Sequence, residues 1–306
     1  MLSIVNRAGN RPSHEGAAAE ADRAIEVCRR AGFRRIVLRG DTDFTQTRHL
    51  DRWDEQQVQF VFGMDARANV VKLAEEVPTA DWQRLERPAK YTVKTQPRHR
   101  HEDVKEPIVE ARGYKNIKLL AEHVAEVAYR PTACEKTYRL VILRKHLQVN
   151  EGQTGQGRLF EEYRYFFYLT NDREATKEAI VYSANDRCHQ ENLHAELKSG
   201  LWSLTTPVDN LLSNWAYMVM TSQAWNFKAW LALWPPVTGN AQQPTQQRDE
   251  QRRVLRMEFK TFRQGLMSIP AQVVRTGRRL VLRLLSWTPW QPLLFRVLAT
   301  FCPLRC

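Results

Sequence analysis

The chain has few cysteines, and they are not arranged in pairs. Its five cysteines are odd in number and scattered, and no Cys-x-x-Cys pair occurs. This pattern supports neither a disulfide framework nor a structural zinc site. It fits a reducing compartment, and the N-terminal residues lack the pattern of a signal peptide, so we expect a cytoplasmic protein.

Long uninterrupted apolar runs are also missing. The longest apolar segment, residues 211–234, contains Asn214, Gln223, Asn226 and Lys228. It therefore predicts a buried core helix rather than a membrane span. Residues 293–301 are apolar but too few to cross a bilayer. We expect no membrane partner, with binding of the C-terminal tail to a membrane surface as the alternative.

Acidic residues are fewer than basic ones. The 306 residues include 46 Lys and Arg against 34 Asp and Glu, which gives a net charge of +12. Such an excess predicts attraction to polyanions, most simply nucleic acid. A basic protein without such a partner has the same composition, so charge alone does not decide. The apolar fraction of 43% allows a sizeable core.

Strand and helix patterns alternate in the first third of the chain. Strands are predicted at residues 2–6, 35–38 and 58–62, and helices at 17–31 and 45–55. This order predicts an α/β unit with at least two parallel strands. Asp41 follows the second strand, and functional residues of such sheets gather beyond the carboxyl ends of strands. The alternative is an Asp that forms a turn or caps a helix.

The middle of the chain reads as β-rich and its end as helical. Residues 91–112 predict a charged loop, and strands are predicted at 119–129, 136–149 and 160–170, the last two joined by a hairpin loop at 150–157. Residues 238–250 predict a polar linker. The basic tail that follows predicts two amphipathic helices, which would lie against the protein or against DNA.

Residues 187–200 predict a helix with one charged face. Two cations, one acid and one histidine fall within roughly 60° of one another: Arg187, Glu191, His194 and Lys198. An apolar stripe lies on another face, formed by Leu193, Leu197 and Leu201. Such a face suits an acid that binds a metal while the cations bind phosphates. A solvated face with an ordinary Arg–Glu pair is the alternative, and the residues alone favour it.

The spacing Arg-x3-Glu-x6-Lys from Arg187 resembles the signature Tyr-x2-Arg-x3-Glu-x6-Lys of insertion-sequence DDE transposases. The local sequence around Glu191 is also close to that of DDE transposase group 1. The family Tyr falls at Ala184, and Tyr182 is two residues early. Residues 38–44 are similar to the family's strand-end element Arg-x-Asp-x-x-Phe. The resemblance runs from about Ser3 to Pro236.

This resemblance implies an RNase H-like fold, which is a mixed α/β sheet with helices. It implies that the first strands are missing and that a β-rich insertion and a C-terminal helical tail are present. The expected domains are residues 1–90 for a partial catalytic core and 91–180 for the insertion. Residues 181–236 would hold the rest of the core with the Glu helix, and 237–306 the linker and basic tail.

The resemblance also implies the chemistry. Three carboxylates of such enzymes hold two Mg²⁺ (or Mn²⁺) ions about 4 Å apart and the enzymes cut and join DNA strands. Asp41 would be the second acid and Glu191 the third, both catalytic metal ligands, with Asp43 as an alternative to Asp41. Arg187 and Lys198 would contact phosphates of transposon ends and target DNA, in a complex that could be homodimeric.

The first acid has no counterpart in the sequence. No Asp precedes Asp22, which falls within a predicted helix. We therefore expect a chain truncated at its N-terminus that lacks the first catalytic Asp. Two other functions stay open: a non-catalytic DNA-binding remnant that could regulate an intact transposase, and an unrelated basic α/β protein.

Overall fold

The computed structural model describes residues 1–87, 116–151, 158–186, 188–237 and 243–301. They divide into two compact units. The sheet unit spans Pro12–Arg187, and the helical unit combines Met1–Arg11 with Cys188–Cys306. The predictions for residues 91–112 and for loop residues 152–157 lie outside the described residues.

The sheet unit is built on six strands in the order β1-β2-β6-β5-β4-β3. Strands β1 and β2 are parallel, and every other pair is antiparallel. The strands are β1 (Val37–Gly40), β2 (Gln59–Met64), β3 (Gln83–Arg84), β4 (Asn116–Tyr129), β5 (Tyr138–Glu151) and β6 (Arg158–Thr170). The described helices are α1 (Ala17–Arg30), α2 (Leu50–Glu55), α3 (Ala68–Glu75) and α4 (Lys177–Asn185). The predicted mixed α/β fold and its parallel pair are confirmed.

The three long strands predicted as an insertion continue the same sheet. Strand β6 pairs with β2 from Val61 opposite Thr170 to Met64 opposite Phe167. The junction is reinforced because the Thr170 hydroxyl donates to the Phe60 carbonyl at 2.7 Å. The Phe60 amide in turn donates to the Asn171 side chain at 2.9 Å. The short parallel pair is thus fixed to a larger antiparallel sheet.

Helices cover both faces of this sheet. Alternating side chains of β5 divide between two cores, with Leu140 and Ile142 in one and Val141 and Leu143 in the other. The first core includes Trp53 of α2, and the second includes residues of α4. Burial on both faces explains why β5 is apolar at the successive positions Leu140–Leu143 instead of alternating with polar residues.

The helical unit holds five helices and a hairpin among its described residues. They are α5 (Cys188–Ala195), α6 (Leu211–Leu233), α7 (Gln243–Arg256), α8 (Phe259–Phe262), β7 (Ala271–Thr276), β8 (Arg279–Leu284) and α9 (Gln291–Phe301). π-helical turns follow α5 at Glu196–Gly200 and α8 at Arg263–Met267. A small apolar core includes Val254, Phe259, Phe262 and Leu293.

The prediction of a strand at residues 2–6 is wrong, because this segment has no regular secondary structure. Side chains of α6 bind its backbone instead. The Trp215 indole donates to the Ile4 carbonyl at 2.8 Å. The Asn226 amide donates to the Met1 carbonyl at 2.9 Å and accepts from the Met1 amine at 2.6 Å. These contacts satisfy backbone groups that a sheet would otherwise pair.

The predicted helix at residues 211–234 is confirmed, but its burial is not. Large apolar side chains of α6 are exposed, among them Leu212 at 72% and Met220 at 64%, while Asn214 and Lys228 are buried. The Lys228 ammonium donates to the Met257 carbonyl at 2.6 Å. Among the described residues, the covered side of α6 carries Asn214, Ser222 and Lys228 together with Ala232, which belongs to the apolar core of this unit. None of the described helices is long and apolar enough to cross a membrane.

Two predictions for the C-terminal tail are wrong. Helix α7 begins at Gln243, inside the segment predicted as a linker. The second predicted helix is largely replaced by the β7–β8 hairpin. Gly277 has a φ of +59° as the first residue of the two-residue turn. A type II′ hairpin turn requires glycine at that position. Sequence reasoning missed this local signal.

Candidate functional site

Asp41 lies directly after β1, before a 3-10 turn at Thr42–Phe44. Its side chain is partly buried. Although Asp41 occupies the N-cap position of this turn, its carboxylate accepts no capping hydrogen bond from the turn's backbone. The capping role that is common for Asp at such junctions therefore does not account for this residue.

The Asp41 turn lies close to the end of β2, and of the two glycines beside it only Gly40 has no room for a side chain. A Cβ atom at Gly63 would lie 3.4 Å from the Thr42 amide nitrogen and 3.6 Å from the Asp41 carbonyl carbon. A Cβ atom at Gly40 would lie 3.0 Å from the Phe62 ring. The Thr45 hydroxyl hydrogen-bonds to the Asp41 carbonyl at 3.1 Å and also to the Gly63 carbonyl. The backbone at Asp41 is thus held against its neighbouring strand.

Helix α2, which follows this turn, is anchored to β5 through Asp51. The carboxylate of Asp51 accepts from the Tyr138 hydroxyl at 2.6 Å and from the Glu135 amide at 2.7 Å. Burial acts to raise the pKa of Asp51, but these hydrogen bonds and nearby Lys136 outweigh it and lower the pKa. Burial and the same hydrogen bond raise the pKa of Tyr138. Asp51 is therefore held in its charged form.

Cys134 ties the same region to the segment before α2. Its thiol lies 3.1 Å from the Thr47 carbonyl, to which it donates. Burial, followed by the nearby charge of Asp51, raises the pKa of Cys134 to about 11. A thiol with this pKa stays protonated near neutral pH, so this cysteine acts as a buried structural group rather than a nucleophile.

The neighbours of Asp41 have structural roles of their own. Asp43 is exposed, and its carboxylate accepts from the Ser13 hydroxyl at 2.8 Å. Arg39 donates from Nε to the Ser183 hydroxyl at 3.0 Å, and its guanidinium lies 4.0 Å from the Asp186 carboxylate. Arg39 thereby links β1 to α4 and its C-terminal end.

The end of α4 departs from the family signature as the sequence indicated. Ala184, at the family Tyr position, is buried in the core of the sheet unit. The Tyr182 hydroxyl donates to the Glu86 carbonyl at 2.7 Å, so this side chain joins α4 to the segment after β3. Arg187 lies outside the described residues, and its role stays a prediction.

Glu191 is exposed in the first turn of α5. An acid in the first turn is favoured by the helix dipole. His194 and Lys198 are exposed as well. The sequence predicts one continuous α-helix to Lys198, whereas the chain forms a π-helical turn from Glu196. Because a π turn holds more residues than an α turn, Lys198 departs from the angular position that α geometry predicts.

The opposite side of this helix is anchored within the helical unit. Leu197 is buried, and the Glu196 carboxylate accepts from the Phe259 amide at 2.6 Å. A Cβ atom at Gly200 would lie 3.1 Å from the Phe259 Cβ, so the two segments are in close contact. The predicted apolar stripe is therefore confirmed at Leu197. Sequence reasoning missed Glu196, which fixes the helix while Glu191 stays accessible.

The whole chain matches the model of a known protein family. A family model described as Transposase DDE domain group 1 matches residues 1–306. The chain belongs to the DDE transposase family. No curated protein sequence matches it. Membership in the DDE transposases implies DNA binding and DNA transposition in general, and the six-stranded mixed sheet is consistent with their RNase H-like fold.

DDE transposases generally use divalent metal ions. Within the described ranges, no group of three or more His, Cys, Asp or Glu is placed to hold a metal ion. The donor chemistry of Asp41 and Glu191 still suits Mg²⁺, which prefers carboxylate oxygens and retains several waters. Asp41 belongs to the sheet unit and Glu191 to the helical unit. Their meeting at one metal site stays a prediction.

Proposed function

We propose that this DDE transposase cuts and joins DNA strands with Mg²⁺ or Mn²⁺ held by Asp41 and Glu191. The observation that carries this proposal is the position of Asp41. Its carboxylate stands at the carboxyl end of a parallel strand, on a backbone held by the Thr45 hydrogen bond, and does not cap the turn that follows. A rigid, partly buried acid at this place suits a metal ligand better than a turn residue.

The surroundings of Glu191 support the proposal that it is the second metal ligand. Its helix is fixed by Leu197 and Glu196 on one side, which leaves the Glu191 carboxylate exposed on the other. A ligand on a rigid element keeps its geometry without a large loss of side-chain entropy. Bound divalent ions would supply charge neutralisation at the scissile phosphate and activation of the attacking oxygen.

The cations near Glu191 would contact DNA phosphates in this proposal. Lys198 is exposed and forms no ion pair with the residues that the structure describes. Its ammonium is therefore available to an anion. Arg187 would act in the same way, since a guanidinium can bind a phosphate through two parallel hydrogen bonds. The net charge of +12 would add long-range attraction.

A second candidate function rests on Asp22. No Asp precedes it in the sequence, but its carboxylate accepts from the Trp53 indole at 2.8 Å and from Arg52 at 2.9 Å. Through these contacts Asp22 joins α1 to α2. Asp22 therefore has a structural role, and no residue is assigned as the first acid of the family. The alternative is a polypeptide that binds DNA without cutting it and regulates an intact transposase.

Nicking of supercoiled plasmid with Mn²⁺ or Mg²⁺ separates the two functions. The catalytic proposal predicts metal-dependent nicking that Asp41→Asn and Glu191→Gln abolish while DNA binding remains. Glu258→Gln is the matched control, because Glu258 is exposed in the same unit as Glu191 and its side chain does not cap α8. DNA binding without nicking by the unaltered chain would favour the regulator, and nicking that survives Glu191→Gln would refute the metal role.

A further inference from the structure

The β7–β8 hairpin lies in the most one-sidedly charged part of the chain. Residues 259–306 contain eight Lys and Arg and no Asp or Glu. Four of these cations are in the hairpin itself: Arg275, Arg278, Arg279 and Arg283. Their mutual repulsion is not relieved by acids in this segment, so an anionic partner would stabilise it.

The register of the hairpin separates two different faces. Gln272 is opposite Arg283, and Thr276 is opposite Arg279. Because directly opposed side chains share a face and successive ones alternate, these four polar residues lie on one face. Val274 and Val281, which also pair, lie between them. We call this the polar face.

The other face is apolar apart from one arginine. It carries the pairs of Ala271 with Leu284, Val273 with Leu282 and Arg275 with Leu280. Arg278 lies in the turn, on neither face. The hairpin therefore presents two arginines together with Gln and Thr on one side, and a single arginine among aliphatic side chains on the other.

Described residues cover little of this hairpin. Only Val274 and Leu284 are partly buried, and Leu280 is 75% exposed. The Leu285 amide donates to the Pro270 carbonyl at 2.8 Å and closes the base of the ribbon. A two-stranded hairpin has little stability alone in water, so the exposed ribbon is expected to gain stability from a partner.

We propose that the polar face of this hairpin is a DNA-contacting surface that enters the major groove. The inference rests on the proposed function, because it takes DNA as the partner. A two-stranded β-ribbon fits the major groove, which is about 12 Å wide. Each six-residue strand spans roughly 20 Å, enough to follow the groove. Arginine can donate two hydrogen bonds to guanine, and glutamine can pair with adenine, in that groove.

Two double variants that remove the same charge test this assignment. Arg279→Gln with Arg283→Gln alters the polar face, whereas Arg275→Gln with Arg278→Gln alters the opposite face and the turn. All four side chains are exposed, so neither variant should melt below the unaltered chain, and the relief of repulsion should be similar in both. Binding is measured by fluorescence anisotropy on a labelled mixed-sequence duplex across a salt titration. The double variant of the polar face should bind this duplex at least about ten-fold more weakly than the double variant of the opposite face and the turn.

A second measurement uses the unaltered chain. Methylation of guanine N7, which lies in the major groove, should weaken binding, while a minor-groove ligand should not compete. Equal losses in the two double variants, or no effect of N7 methylation, would overturn the ribbon proposal while leaving DNA binding intact. If the unaltered chain did not bind the duplex at all, both the ribbon and the proposed function would fall.

Lipid is the competing partner, because the apolar face could enter a membrane surface. Vesicles of phosphatidylserine with phosphatidylcholine provide the comparison. Two results together would replace the ribbon proposal with a membrane surface. The double variant Leu280→Gln with Leu282→Gln would no longer bind vesicles, and the two arginine variants would bind DNA equally. DNA binding that depends on the polar face would support the proposal.

Discussion

Gly40 is the residue whose substitution bears most directly on the position of Asp41. A Cβ atom added at Gly40 would lie 3.0 Å from Cδ1 and Cε1 of Phe62 and 3.1 Å from the Phe44 Cβ. Carbon atoms pack favourably at about 3.5–4.0 Å. The Phe62 ring is 4% exposed and lies 5.9 Å from the Trp53 ring, centroid to centroid. It therefore has little room to move away.

The size of the effect follows from two opposing terms. Overpacking a filled site costs about 1–3 kcal/mol. Replacing glycine by alanine also restricts the unfolded chain, which stabilises the folded state by about 0.4–1 kcal/mol. Gly40→Ala should therefore destabilise the protein by about 1–2 kcal/mol and shift the backbone at Asp41. Gly63→Ala is the matched control, because its nearest contact, at 3.4 Å, is with Thr42. Its stability should change little or rise slightly.

Urea unfolding followed by tryptophan fluorescence measures both variants. The midpoint should fall for Gly40→Ala and stay near that of the unaltered chain for Gly63→Ala. In the nicking assay, Gly40→Ala should lose activity well below its unfolding midpoint, because Asp41 is displaced in a protein that remains folded. A Gly40→Ala protein as stable as the Gly63→Ala protein would refute the argument from close packing at Phe62.

Tyr138→Phe should lower the free energy of unfolding by about 1.5–3 kcal/mol at pH 7, because it removes a hydrogen bond to a charged carboxylate. Tyr129→Phe is the control and should leave the free energy of unfolding nearly unchanged in the same urea assay. The lowered pKa of Asp51 means that this stabilisation is present above the ordinary Asp pKa and lost as pH falls through the folded pKa, so the variants should converge in acid. A gap that persists when Asp51 is protonated would contradict this. At pH 8, iodoacetamide should alkylate Cys134 far more slowly than Cys28, because Cys134 is buried and its pKa is about 11. Peptide mass spectrometry measures the two rates, and equal rates would show that the site around Cys134 opens.

Local patterns predicted most of the sheet unit. The apolar runs gave β1 and β2 within two residues, and the longer runs gave β4, β5 and β6. The pairing of Val61 with Thr170 was not predictable in this way, because it joins residues far apart in sequence. Periodicity shows which residues form a strand but not which strand becomes its neighbour.

The helical unit was harder to predict for a different reason. The composition of α6 indicated burial, yet the structure buries Asn214 and Lys228 and exposes Leu212. Which side of an apolar helix is covered depends on neighbours that its own sequence does not encode. The hairpin was missed because its arginines, spaced four apart at 275, 279 and 283, fit a helix as well as a ribbon.

For the candidate site, motif spacing selected candidate residues but not the contacts that hold them in place. Asp41 was chosen over Asp43 by family register alone, and the structure adds the Ser13 contact that occupies Asp43. The anchoring roles of Arg39 and Glu196 arise from tertiary contacts, so no spacing rule could supply them.

Iron-directed cleavage of the polypeptide tests the central claim most directly. Fe²⁺ substitutes for Mg²⁺ at carboxylate sites, and with ascorbate and peroxide it generates radicals that cut nearby backbone. If Asp41 and Glu191 hold the same metal site, fragments should end near both positions, and Glu191→Gln should remove the cut near Asp41 as well. Cutting near only one of them, or cutting near Asp41 that Glu191→Gln leaves unchanged, would contradict a shared metal site.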